Sequence, residues 1–229
     1  QGSITLAAAS NVNLIEAATT PASHIVMDGG YYDGGGANQT SDMSTIYMEQ
    51  VDNSKFLNFY VTGGFRDTTT RGEGLELYNS DNNVVSGIHS FSNQYDGIKI
   101  RAVSKYNTVE NCICWDNWAS GVQIAGYAWK NTIVGNIIWT TDRTSNPLAP
   151  YCRGVTIHHS DGNTIADNVI YNVNRAILFI VDEGATVSEN VVEGNVILAS
   201  EYGFYFTMTG TPNEVYHNVF SNNVVDTID

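Results

Sequence analysis

Short runs in which apolar residues alternate with variable ones recur along the chain, each opened by a small residue: Gly97-Ile98-Lys99-Ile100, Gly121-Val122-Gln123-Ile124 and Gly154-Val155-Thr156-Ile157. Weaker copies stand at Gly74-Leu75-Glu76-Leu77, Ala176-Ile177-Leu178-Phe179 and Gly203-Phe204-Tyr205-Phe206. Apolar residues two apart mark a short strand with one face buried. The strong copies are followed by a second strand-like run led by asparagine, at Asn107-Thr108-Val109, Asn131-Thr132-Ile133 and Asn163-Thr164-Ile165. The copies begin at residues 74, 97, 121, 154, 176 and 203, in steps of 23, 24, 33, 22 and 27. Strands and asparagine turns repeated at this spacing predict an all-β solenoid, in which stacked units share one continuous core. No boundary interrupts it, so residues 1–229 are expected to form one domain, with an N-terminal segment over 1–23 and coils over 24–225.

The alternation also predicts which residues face out. With Ile46/Met48, Leu75/Leu77, Ile98/Ile100, Val122/Ile124, Val155/Ile157, Ile177/Phe179 and Phe204/Phe206 facing in, one outward column reads Tyr47, Glu76, Lys99, Gln123, Thr156, Leu178, Tyr205. Its neighbour reads Glu49, Tyr78, Arg101, Ala125, His158, Ile180, Thr207. Parallel strands lie about 4.8 Å apart, so these columns would set Glu76 beside Lys99 and bring Arg101 and His158 within a few rungs. Aligned turns place Asn136, Asn168 and Asn218 in one structural column, with Cys112 standing for an asparagine.

The segment His24-Ile25-Val26-Met27-Asp28-Gly29-Gly30-Tyr31-Tyr32-Asp33-Gly34-Gly35-Gly36, followed by these repeats, resembles the opening coils of the pectin-lyase-like superfamily. That resemblance covers roughly residues 24–225. It implies a right-handed, single-stranded parallel β-helix of about eight coils, three strands to a coil, and polysaccharide lyase or hydrolase activity. The chain departs from the polygalacturonase pattern: it has no Asn-Thr-Asp, no Asp-Asp pair and no Gly-His-Gly on the expected strands, which argues against the usual inverting hydrolase. Archaeal disaggregatases, which break down a chondroitin-like envelope polymer, would suit an acidic β-helix fragment of this kind.

Charge narrows the partners. A net charge of −14 excludes the basic face that nucleic acid needs. No apolar run reaches the ~18 residues of a membrane span. The chain opens and closes as a trimmed piece of a longer extracellular or cell-surface protein would, with further domains expected beyond it. The three cysteines give no disulfide framework and read as small buried residues. Seven of the ten cations, Arg66, Arg71, Lys99, Arg101, Arg143, Arg153 and Arg175, fall on the repeated first strand or in the segment leading into it. Cations gathered on one side of so acidic a chain suggest an anion, here an acidic polysaccharide. The alternative is that each pairs with a local carboxylate, Glu76 with Lys99 for instance.

Two chemistries fit such a groove. In β-elimination, the resemblance implies a Lys or Arg base, and Lys99 flanked by Arg101 is that arrangement, the neighbouring cation lowering the lysine's pKa while Glu76 opposes it. His158 is a second base, and Arg153 a carboxylate clamp. In hydrolysis, Glu49 and Glu76 would flank the glycosidic bond, with Asp96 behind them. Gln123, Arg143, Tyr78, Tyr127 and Tyr205 are expected to bind sugar, whereas Trp115 and Trp139 read as packing residues. Two period-breaking segments, 63–71 and 140–152, should project beside the same face. No metal ligand set is assigned. Calcium is possible at Asp28 and Asp33 or at Asp182-Glu183, and His158-His159 are expected to alternate faces and not chelate. The competing class is a non-catalytic glycan-binding or structural cell-surface or tailspike β-helix.

Overall fold

Most repeats contribute three short strands, and stacking sends each of the three into its own parallel sheet; two further short pairs, Ala22–Ser23 with Val51–Asp52 and Thr186–Ser188 with Glu214–Tyr216, stand beside them. The computed structural model describes residues 3–5, 12–18, 20–67, 71–144, 152–182, 184–210 and 214–227. The first sheet has eight strands: Ile15–Ala17, Ile46–Glu49, Leu75–Tyr78, Ile98–Arg101, Ser120–Ala125, Arg153–His158, Arg175–Val181 and Tyr202–Met208. The second also has eight, from Val26–Asp28 to Val219–Ser221, and the third has nine, from Ser3–Thr5 to Val224–Thr227. This is the right-handed parallel β-helix expected from the repeat. Among the described residues the helical structure is a single 3-10 turn, Gly36–Asn38.

The coil begins earlier than expected. Ser3–Thr5 pairs with Tyr31–Asp33, and Ile15–Ala17 pairs with Ile46–Met48, so part of the segment 1–23 already belongs to the sheets. Elsewhere the register is the one the alternation required. Glu76 is opposite Lys99, Tyr78 opposite Arg101, Lys99 opposite Gln123, and Ala125 opposite His158. Leu75, Leu77, Ile98, Ile100, Val122, Ile124, Val155 and Ile157 are fully buried and form the axis of the core.

The small residue that opens each repeat is required by space. A Cβ on Gly154 would run into the carbonyl oxygen of Ala176 on the next rung and the side chain of Ile170. Backbone cannot yield as a flexible side chain does, so Gly154→Ala is expected to cost about 1–3 kcal/mol, the range for overpacking a core. A urea unfolding midpoint unchanged from wild type would contradict this.

Bends are held by buried asparagines. One ladder runs Asn83, Asn107, Asn131, Asn163, Asn190, Asn218, each donating Nδ2–H to the next Oδ1. A second runs Asn136, Asn168, Asn195, Asn223, and it opens at Cys112, whose N–H donates to Asn136 Oδ1. Asn218 therefore belongs to the first ladder and not to the column of Asn136 and Asn168. On the outside of the third sheet, Phe91, Trp115, Trp139 and Tyr171 stack at 4.4, 5.5 and 5.4 Å with nearly parallel planes. Rings stacked face to face offer only edges to solvent, so this row packs coil on coil, as expected for Trp115 and Trp139.

Candidate functional site

The outward columns of the first sheet carry charge as expected, but much of it is buried. Glu76 is completely inaccessible, and Lys99 and Gln123 are 5% and 4% exposed. What reaches over them comes from the corner preceding each strand. Glu73 accepts a hydrogen bond from Lys99 Nζ at 2.8 Å, and Asp96 Oδ2 lies 3.6 Å from the same ammonium. Arg101 Nε pairs with Glu76 Oε1. Ser44 Oγ is 2.8 Å from a carboxylate oxygen of both Glu73 and Glu76. The ring of Tyr95 lies under both Lys99 Nζ, at 4.7 Å, and the Arg66 guanidinium, at 5.0 Å. Arg71 covers Tyr47 at 4.5 Å.

This corrects the role expected of Lys99. Burial alone would lower its pKa, but the carboxylates of Glu73, Asp96 and Glu76 overcome that, and the net shift is upward. An ammonium so held is a poor proton acceptor. Glu76 is shifted up by burial first and by repulsion from Glu73 second, and Asp96 by burial. With no exposed surface, Glu76 cannot flank a sugar bond together with Glu49. The pairing anticipated between Glu76 and Lys99 is crossed: Lys99 takes Glu73 and Asp96, and Glu76 takes Arg101.

Beside this network opens a cleft of about 250 Å³, lined among others by Tyr95, Lys99, Arg101, Gln123, His158 and His159. Arg101 keeps 24% of its side chain exposed, and its guanidinium also lies 4.9 Å above the Tyr78 ring. The structure thus brings together four of the expected residues, Lys99, Arg101, Gln123 and His158, with Tyr78 beneath Arg101. Tyr127 stands at the rim, its ring 6.0 Å from His159. The others lie apart. Glu49 accepts a hydrogen bond from Tyr47 four rungs from His158, a separation of about 19 Å. Tyr205 is two rungs beyond His158 under Arg175, at 4.2 Å. Arg153 is on the His158 strand and Arg143 on the turn after Ile137–Trp139, and neither lines the cleft. Residues 68–70, 145–151 and Glu183 lie outside the described residues, so those parts of the two long segments and of the Asp182-Glu183 pair do too. Asp28 and Asp33 bond to Asn58 Nδ2 and Gly35 N–H, ordinary corner contacts.

The residues that sequence reasoning passed over are Ser44, Glu73, Tyr95 and the His159–Asp182 contact. His158 and His159 do not diverge. His159 sits at the corner with φ +49, and this turn swings its ring beside that of His158, the centroids 4.1 Å apart. His158 Nε2 lies 2.9 Å and His159 Nε2 3.3 Å from Asp182 Oδ2. Burial lowers the pKa of His158, and a hydrogen bond from Thr209 is the main reason Asp182 lies below the usual carboxylate range.

Comparison with known proteins places this geometry in a family. The model of one family matches residues 30–229, nearly the whole coil. The chain belongs to the periplasmic copper-binding protein (NosD) family. A search of curated proteins gave no match. Among solved structures, the NosD-family chain is similar to the periplasmic alginate epimerase AlgG, at 13% identity and a TM-score of 0.63 over 87% of this chain and 44% of that one. It is also similar to pectate lyase Pel9A, at 12% identity and a TM-score of 0.53, covering 94% and 68% of the two chains. A Family 28 exopolygalacturonase from Yersinia enterocolitica matches at 14% identity and 0.52, over 83% and 36%. At these identities the likeness is one of fold, that of the pectin-lyase-like β-helices. The chain spans less than half the length of AlgG.

Proposed function

We propose that this β-helix works outside the cytoplasmic membrane, in the periplasm or at the cell surface, and binds an acidic, uronate-bearing polysaccharide in the cleft at Arg101. The observation that carries this reading is an asymmetry of exposure. Glu73, Glu76 and Asp96, which balance the cations, are wholly buried, whereas Arg101 keeps a quarter of its side chain at the surface. A ligand entering the cleft meets the cation and not its counter-charges. Arg101 spends Nε on Glu76, and the rest of its planar guanidinium is the group best suited to a sugar carboxylate. Gln123 and Tyr95 add hydrogen-bonding groups beside it.

Recognition is favoured over cleavage because the expected reacting groups are engaged: Lys99 is held as an ammonium, and Glu76 has no access to solvent. Membership of a family described as periplasmic and copper-binding suggests the same compartment and a second ligand, a copper-type ion. Cys112, Cys114 and Cys152 are buried in the coil, away from the cleft lining. Among the described residues, His158, His159 and Asp182 are the group whose ligand atoms lie close enough together to share an ion.

Retention on immobilised pectate, alginate and chondroitin, against a neutral glycan, tests the proposal. Acidic polymers should retain the protein, and Arg101→Ala should weaken binding about tenfold or more, the worth of one hydrogen bond to a charged group. Gln123→Ala provides a second variant that leaves the ion pair intact and should weaken retention less. Equal retention on neutral glycan, or undiminished binding by folded Arg101→Ala, would refute it. Unsaturated ends or new reducing ends in the same incubations would assign lyase or hydrolase turnover instead.

A further inference from the structure

We propose that His158, His159 and Asp182 form a site for one divalent first-row transition ion at the rim of the cleft. The three come from two adjacent rungs of the first sheet. His158 ends the strand Arg153–His158, His159 turns the corner after it, and Asp182 follows the next strand, Arg175–Val181. Their ligand atoms all lie within 4.8 Å of one another, with the two imidazole Nε2 atoms 2.9 and 3.3 Å from Asp182 Oδ2. Ligands held about 2.0–2.1 Å from a metal at tetrahedral to right angles stand about 2.9–3.4 Å apart, so both spacings already match a shared ion.

The donor set selects the class of ion. Two imidazole nitrogens and one carboxylate suit Cu²⁺, Zn²⁺ or Ni²⁺, whereas Ca²⁺ takes six or more oxygens. Calcium at Asp182 is therefore not the expected occupant. Asp182 is oriented from behind, because Thr209 Oγ1–H donates to Oδ1 at 2.6 Å and leaves Oδ2 aimed at the rings, the kind of outer support that metal ligands have. His159 Nε2 presently accepts the Asp182 N–H at 2.8 Å. Loading exchanges that bond for the metal, at a partly exposed corner where water can take the N–H. All three side chains retain some exposure, from 18% to 43%, so the ion has a route in. Three protein ligands leave a coordination position open, and both histidines line the cleft, so that position faces it.

The site stands on this geometry and not on glycan binding, and its test contains no glycan. The chain as it stands, freed of metal by a chelator, would be titrated with Cu²⁺, Zn²⁺ and Ca²⁺ by calorimetry, with electron paramagnetic resonance of the Cu²⁺ form. One Cu²⁺ or Zn²⁺ per chain is expected, with a Cu²⁺ spectrum showing two equivalent-type nitrogens and no heat from Ca²⁺. His158→Ala and His159→Ala should each weaken binding at least tenfold. Asp182→Asn, which keeps the shape, should also weaken it, and His217→Ala should not. Thermal melts establish that each variant is folded, and Cu²⁺ should raise the midpoints of wild type and His217→Ala more than those of the three ligand variants. Uptake that survives in a folded His158→Ala/His159→Ala variant, or wild-type uptake no tighter than that variant's, would overturn the proposal.

Discussion

Replacing Lys99 with methionine is expected to destabilise the protein by about 3–5 kcal/mol, the cost of removing one partner from a buried ion pair. Methionine fills much of the same volume, so the loss would be electrostatic and not a cavity. Lys99 Nζ is the counter-charge of Glu73 and Asp96, both wholly inaccessible to water, and without it three buried carboxylates share the single guanidinium of Arg101. The variant's response to pH identifies the cause. Asp96 and Glu76 already have pKa values raised by burial, and losing the ammonium raises them further. An acid whose folded pKa exceeds its unfolded one binds more protons when native, so its contribution to stability is lost as pH rises between the two values. The deficit of Lys99→Met relative to wild type should therefore grow as pH rises, and be smaller at about pH 5 than at about pH 8. Urea unfolding at the two pH values measures this directly. A deficit independent of pH, or under about 1 kcal/mol, would mean that the network does not hold Lys99 as described.

The same residue shows how much of the site the sequence could disclose. Register is a local property, because alternation along each strand and the small residue that opens it fix which side chains line up. Hence Glu76, Lys99, Gln123 and Tyr78, Arg101, Ala125, His158 fell in the right columns. Whether a column is open depends on what crosses it from elsewhere. Tyr95 and Glu73 reach Lys99 from the corners before two different strands, and nothing in the period of the repeat marks them. The histidines show the other limit. Alternation sends residues 158 and 159 to opposite faces only while the strand continues, and the strand ends at His158. The left-handed backbone of His159 reverses the expectation within one residue, and Asp182, 24 positions on in sequence from His158, arrives one rung away. The cations gathered at one face were legible as a group, and Glu76 as a carboxylate among them, but Glu73 and the crossed pairing were not. A reading by composition could therefore find the face without seeing that Lys99 is structural and Arg101 the accessible member.

Asn168→Ala should cost about 2–4 kcal/mol, while Asn218→Ala, a chemically identical deletion, should cost under about 1 kcal/mol. Asn168 is fully buried in the middle of its ladder. Its Oδ1 accepts both the N–H and the Nδ2–H of Asn136, at 3.0 and 2.9 Å, and its own Nδ2 donates to Ile133 O and Asn195 Oδ1. Truncation leaves the Asn136 N–H without its acceptor in a place water cannot reach, and a stranded buried donor costs more than a lost hydrogen bond returns. Asn218 makes the same contacts to Asn190 but is half-buried at the last coil, where solvent can replace it. The two share the side chain and the bonds accepted from the preceding asparagine, and differ in burial and in the next rung, because Asn168 goes on to Asn195 whereas Asn218 ends its ladder and donates to Val187 O. Because Asn168 both accepts from the coil before and donates to the coil after, the loss there should also spread. In Asn168→Ala, hydrogen exchange at the backbone amides of residues 136 and 168 should accelerate together, whereas the first ladder at Asn131 and Asn163 stays protected. Equal destabilisation by the two variants would show instead that the ladders are held by the sheets on either side and contribute little of their own.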